Sequence, residues 1–141
     1  MSYLNNFVII DDDKLNNKLC RTIIEKTYPN ALVVDFTDPV AGFEYVAEKY
    51  SQPDNDESAI LLLDIMMPVM DAWGFLARFE KLSEEARNRV RIYILSSSID
   101  KGDMMRAQSN KHVEYYLIKP LTKESIKLIV HVLNKRYGIT S

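Results

Sequence analysis

The run Ala59-Ile60-Leu61-Leu62-Leu63 passes without a polar interruption into Asp64, and few architectures accommodate such a segment. A strand with one wet face alternates apolar and polar residues. A strand apolar on both sides needs cover on both faces, as in a parallel sheet flanked by helices. The carboxylate then stands at the strand's carboxyl end, the edge at which open α/β sheets bind ligands. Asp also ends strands merely as a turn former, so Asp64 acquires meaning only from the other segments.

Phe7-Val8-Ile9-Ile10 has the same form and ends in Asp11-Asp12-Asp13. Behind it Leu15, Leu19 and Ile23 recur every four residues, with Cys20 and Ile24 beside them, which predicts an amphipathic helix over about residues 14–28 capped by Asp12 or Asp13. Pro29-Asn30 breaks it, and residues 31–36 read as a second strand. Asp38-Pro39 reads as an N-cap with proline at the first helical position, and Val40, Phe43, Ala47 and Tyr50 as the apolar face of the second helix. Residues 51–58 contain no large apolar side chain and form a solvated connection. After Pro68 a helix is expected over about 71–86, with Phe75, Leu76 and Phe79 inward. Residues 90–95 form a fourth strand running into Ser96-Ser97-Ser98, and residues 113–118 a fifth running into Lys119-Pro120. Between them, residues 100–109 form a weaker helix that contains Gly102 and packs through Met104, Met105 and Ala107. Thr122 caps a last helix striped by Ile126, Ile129, Val130 and Leu133.

Five strands alternating with five helices predict an α/β fold with one doubly wound parallel sheet, in a single domain spanning residues 1–141 with its core over about 5–137. Every strand of a parallel sheet delivers its last residue to the same edge, so Asp11, Asp12, Asp64, Ser96 and Lys119 converge there. Carboxylates held close together raise one another's proton affinity unless a cation joins them. Oxygen donors with room for water suit Mg²⁺; zinc would want His112, His131 and Cys20, which lie in unrelated places. Lys119 adds a positive charge and Ser96 a hydroxyl, the set that a phosphoryl group on a carboxylate requires.

Composition narrows the partners. A net charge of -2 gives no electrostatic case for nucleic acid or an anionic membrane surface. The lone Cys20 excludes an internal disulfide and points to a reducing, cytoplasmic setting. No run reaches the roughly 18 apolar residues of a membrane span, and Met1 to Phe7 carry no export signal. His112 and His131 read as surface side chains, and Met66, Met67, Met70, Met104 and Met105 as packing residues.

These residues carry a resemblance. The acidic pair Asp11-Asp12, the segment Asp64-x-x-Met67-Pro68, Ser96 after the fourth strand and Lys119-Pro120 stand in the order and approximate spacing of the receiver domain of two-component response regulators. The resemblance implies a CheY-like, flavodoxin-like sheet in the order 2-1-3-4-5. It implies phosphorylation of Asp64 by a sensor histidine kinase or a histidine phosphotransfer protein, in a domain that is no enzyme towards other substrates but catalyses its own phosphorylation and dephosphorylation. By resemblance Asp12 and Asp64 bind Mg²⁺ directly with the main-chain carbonyl of Met66, and Asp11 acts through metal-bound water. Lys119 pairs with the phosphoryl oxygens, Ser96 is the switch hydroxyl, Tyr116 the aromatic switch, and Lys119-Pro120 a cis peptide. The face of the helix over 100–109, the fifth strand and the last helix would signal to an effector or to a second copy in a homodimer. With only Tyr137 to Ser141 beyond the last helix, a stand-alone receiver is expected.

The chain departs from the family pattern in one loop. Glycine commonly follows the acid after the Pro68 turn, whereas here Asp71 is followed by Ala72-Trp73-Gly74, and alanine resists positive φ. Two other chemistries fit less well. An aspartyl-nucleophile hydrolase would want a second acid where Met66 stands, and a flavin site would want a glycine- and hydroxyl-rich loop where the three acids stand. The alternative within the family is an interaction module that works without phosphorylation.

Overall fold

A computed structural model describes residues 6–54 and 56–137. The expectations for Met1 to Asn5 and for Gly138 to Ser141 lie outside these residues. The elements run β1 (Asn6–Ile10), α1 (Lys14–Thr27), β2 (Leu32–Phe36), α2 (Pro39–Tyr50), β3 (Ala59–Leu63), α3 (Ala72–Phe79), α4 (Glu84–Arg89), β4 (Val90–Ser96), α5 (Lys101–Ser109), β5 (Val113–Ile118) and α6 (Lys123–Arg136). The strands are all parallel, in the order β2-β1-β3-β4-β5. The expected architecture is therefore present.

The unbroken apolar runs are explained by two cores. Ile60 and Leu62 of β3, with Phe7 and Ile9 of β1 and Tyr93 and Leu95 of β4, pack against Cys20 and Ile24 of α1 and Ile126, Ile129, Val130 and Leu133 of α6. The alternate residues Leu61, Leu63, Val8, Ile10, Ile92 and Ile94 face the other way, against Val46 and Tyr50 of α2, Phe75, Leu76 and Phe79 of α3, and Ala107 of α5. Successive side chains of a strand point to opposite faces, so each run supplies both cores at once. Each such Leu or Ile contributes about 1.5–3 kcal/mol when fully buried.

Four expectations are corrected. The helix over 71–86 is two helices, because Ser83 caps a new one by accepting from the Ala86 amide, with Glu84 and Glu85 in its first turn. On α1 the buried residues are Asn16, Asn17, Cys20 and Ile24, while Leu15 and Leu19 stand 65% and 53% exposed. The helix is thus turned by about one residue, or 100°, from the leucine stripe. Met105 and Met66 are exposed and do not pack, whereas Met67 and Met70 belong to the core and Met104 leans on it. His112 is half-buried, its ring edge-on to Phe79 and its Nε2 paired with Glu80, whereas His131 is exposed as expected. Among the described residues no helix is long and apolar enough to cross a membrane.

The loop after β3 resolves the alanine question. Ala72 lies inside α3, capped by Asp71, which accepts from the Gly74 amide. The left-handed turn falls instead on Val69, at φ 72°. A β-branched residue there is strained, and at 94% exposed Val69 gains no packing in return.

Candidate functional site

The sheet's hydrogen bonding continues into the residues that leave it. The Asp11 amide donates to the Phe36 carbonyl at 3.1 Å, the Asp64 amide to Ile10 at 3.0 Å and the Lys119 amide to Ser96 at 2.9 Å. The ends of β2, β1 and β3 are thereby pinned beside one another, and the end of β5 to that of β4. One carboxylate oxygen each from Asp11, Asp12 and Asp64 lie within 4.8 Å of one another. Asp11 is 1% and Asp64 8% exposed, whereas Asp12 opens to solvent.

Lys119 enters this group from the end of β5. Its Nζ is 2.7 Å from Asp11 Oδ2 and 3.7 Å from Asp64 Oδ1, so the tighter ion pair is with Asp11. Asp11 is further held by the Asp13 amide on Oδ1 at 2.9 Å and by Asn16 Nδ2 on Oδ2 at 2.8 Å, while Asn17 Nδ2 donates to the Asp11 carbonyl at 2.9 Å. These two buried asparagines explain the orientation of α1. They turn an amide face, not the leucines, toward a buried charge that has to be satisfied.

The electrostatics follow from the geometry. Burial pushes the Asp64 carboxyl up, the charges of Asp11 and Asp12 add to it, Lys119 and the Ile65 amide oppose it, and the net value is raised to about 6. Burial pulls the Lys119 ammonium down, but its hydrogen bond and charge contact with Asp11, and the charges of Asp64 and Asp13, outweigh that and the net is upward. Three carboxylates and one ammonium also leave an excess of negative charge, which adds to burial in raising the proton affinity of Asp64. All-oxygen donors with a deficit of positive charge fit a hard divalent cation such as Mg²⁺.

Ser96, buried at the end of β4, accepts from the Ser98 amide at 3.2 Å. Tyr116 is also buried, and its hydroxyl donates to the Ser98 carbonyl at 2.7 Å. Ser98 in turn donates through Oγ to Asp103 of α5 at 2.9 Å. Met66 lies in the loop two residues beyond Asp64 with its side chain outward. The Lys119-Pro120 peptide is cis. Asn16, Asn17 and Ser98 were not singled out from the sequence. The one signal for the asparagines was polar residues on a helix immediately following the acids.

A doubly wound parallel sheet with acids, a lysine and a serine at its carboxyl edge defines a receiver-type signalling domain. Residues 7–131 match the response regulator receiver domain, and the chain belongs to that family. Among solved structures it is similar to a two-component response regulator from Cytophaga hutchinsonii, with 30% identity, TM-score 0.79, and 92% of this chain and 97% of that one covered. A response regulator receiver protein from Dyadobacter fermentans gives 26% identity and TM-score 0.79, with 94% and 97% covered. Over 76 residues the chain is 36% identical to the "Probable methanogenesis regulatory protein" of Methanothrix harundinacea, covering 54% of this chain and 47% of that protein. The chain spans less than half the length of the curated relatives it matches.

Proposed function

We propose that this domain accepts a phosphoryl group on Asp64 from the phosphohistidine of a sensor kinase or histidine phosphotransfer protein, and changes its partner surface in response. The observation that carries the reading is the arrangement of Asp64 among Asp11, Asp12 and Lys119, with carboxylates in excess over the one ammonium. In the transfer an Asp64 carboxylate oxygen forms a bond to phosphorus as the bond from phosphorus to the histidine nitrogen breaks. Asp64 has to be ionised to attack, and a carboxyl raised to about 6 is still mostly ionised at neutral pH. Asp12, Asp64 and the Met66 carbonyl would hold Mg²⁺ directly, with Asp11 acting through its water, and the bound ion would neutralise charge on the carboxylates and on the incoming phosphoryl oxygens. Lys119, placed between Asp11 and Asp64, would pair with a phosphoryl oxygen, and the Ser96 hydroxyl would turn from the Ser98 amide toward another. Water attack on the same phosphorus would break its bond to the Asp64 oxygen, releasing inorganic phosphate and the free carboxylate.

Leu15 and Leu19, exposed on α1 behind the acids, support docking of the phosphodonor protein on that side. Tyr115 and Ile118 of β5 and Leu128 and Val132 of α6 are exposed apolar residues on the output face, and support recognition there by an effector or by a second copy. The buried lone thiol of Cys20 suits a cytoplasmic setting. Acetyl phosphate with Mg²⁺ is the test: intact mass should gain one phosphoryl group in the native protein and none in Asp64→Asn. An unmodified native protein would leave the phosphorylation-independent interaction module as the reading.

A further inference from the structure

Asp11 Oδ2 is shared by two donors, and that sharing bears on how Lys119 can move. Lys119 Nζ lies 2.7 Å from this oxygen but 3.7 Å from the nearest Asp64 oxygen. To pair with a phosphoryl group on Asp64 the ammonium has to loosen from Asp11. Asp11 is almost wholly buried, so bulk water does not reach Oδ2 to replace the lost partner, and a buried carboxylate resists losing a hydrogen-bonded cation. Asn16 Nδ2, at 2.8 Å from the same oxygen, is the donor that stays. It is fixed by the first turns of α1, whose N-cap Asp13 accepts from the Leu15 and Asn16 amides. The Asp13 amide holds the other oxygen.

We infer that Asn16 is a positioning residue that keeps Asp11 hydrogen-bonded while Lys119 shifts from Asp11 to the phosphoryl group on Asp64. The inference rests on the phosphorylation reading above. Asn16 touches neither the donor nor the reacting oxygen; it acts through the Asp11–Lys119 pair. Without it Asp11 holds Lys119 more tightly, and the ammonium is withheld from the transition state.

The experiment is a double-mutant cycle on the whole chain: native protein, Asn16→Ala, Lys119→Ala and the double variant, with acetyl phosphate as donor, acetate leaving as the Asp64 oxygen–phosphorus bond forms. Initial rates are followed by intact mass at saturating Mg²⁺, with circular dichroism on each variant. Asn16→Ala should slow phosphorylation about tenfold, the scale of one hydrogen bond to a charged group. In the Lys119→Ala background the same substitution should change the rate less than about twofold, because the two residues act on one step. A merely structural asparagine would lower the rate by the same factor in both backgrounds, and that result overturns the inference. Asn16→Ser, which shortens the donor, gives the same comparison if the alanine variant does not fold. A native protein that takes up no phosphoryl group would take down the phosphorylation reading and this inference together; multiplicative effects in a protein that is phosphorylated would remove the inference alone.

Discussion

Replacing Asp64 by its neutral isostere should stabilise the fold while abolishing its chemistry. The Asp64 carboxyl has an ordinary value of 3.8 and is raised to about 6 in the folded protein, by burial first and then by Asp11 and Asp12. Carrying that charge at neutral pH costs the native state about 3 kcal/mol. Asparagine removes the charge, and the raised value is already net of the 3.7 Å attraction to Lys119, so a gain of up to about 3 kcal/mol is expected, equivalent to up to about 10 °C for a chain of this size. The pH dependence has a definite sign. A carboxyl whose folded value is raised binds its proton more tightly in the native state, so its contribution is fully present below about 4 and is lost as pH rises through about 6. Urea melts in EDTA, from pH 4 to 8, should therefore show Asp64→Asn and the native protein converging at the acid end, separating as pH rises from about 4 to about 6, and staying apart by a constant gap above it. Carboxyls remote from the site cancel in the difference. Saturating Mg²⁺ should close the gap by stabilising the native protein alone, by about 2.7 kcal/mol at a hundredfold excess over its dissociation constant. A variant no more stable than the native protein at pH 7.5 in EDTA would refute the argument, since it would mean that Lys119 already compensates all three acids.

Three further outcomes are expected. Val69→Asn, which puts a residue tolerant of left-handed backbone at φ 72°, should raise the unfolding free energy by about 1 kcal/mol, read as a higher urea midpoint with an unchanged denaturant slope. Gly42→Ala should lose about 1–3 kcal/mol in the same assay despite alanine's helix preference, through overpacking: its Cβ would lie 2.8 and 2.9 Å from the Ile10 side chain and 3.3 Å from Phe36 Cβ. Burial first, then Asp11, pushes the Cys20 thiol up to about 12, so iodoacetamide at pH 8 should leave it unmodified in the folded protein and label it in urea, as read by intact mass.

The fold was legible where one physical pattern sufficed. Apolar runs such as 59–63 imply two-sided cover, and Asp38-Pro39 or Thr122 mark helix starts because capping is local chemistry. It was misread where local and tertiary demands competed. Leu15-Leu19-Ile23 and Asn16-Cys20-Ile24 are both four-residue stripes, offset by one position, and hydrophobicity favours the first. The second is buried because Asn16 and Asn17 bond Asp11, a requirement visible only once the acid is known to be sealed from water. Residues 71–86 likewise carry an inward apolar pattern that hides the break at Ser83, although Ser83-Glu84-Glu85 is itself a helix-start signal.

For the candidate site, convergence followed from topology, but the pairing within it did not. Parallel strands bring Asp11, Asp64, Ser96 and Lys119 to one edge whatever their side chains do. Which acid the lysine prefers depends on differences of about an ångström and on what else satisfies each carboxylate. Asp11 is buried and collects the Asp13 amide, Asn16 and Lys119; Asp64 has Lys119 a full ångström farther away, and burial, with the charge of Asp11 added, raises its proton affinity. The strained turn shows the same separation. Ala72 stands after Asp71 where glycine is common, and the left-handed residue lies on the other side of Met70, at Val69, since Asp71 is needed as the cap of α3 and Ala72 must already be helical behind it. Strain of this kind persists only where surrounding contacts over-determine the backbone. Here those contacts are the bond from the Ala72 amide to the Ile65 carbonyl at 3.0 Å and the burial of Met67 and Met70 on either side of the turn, which together hold the loop that follows Asp64.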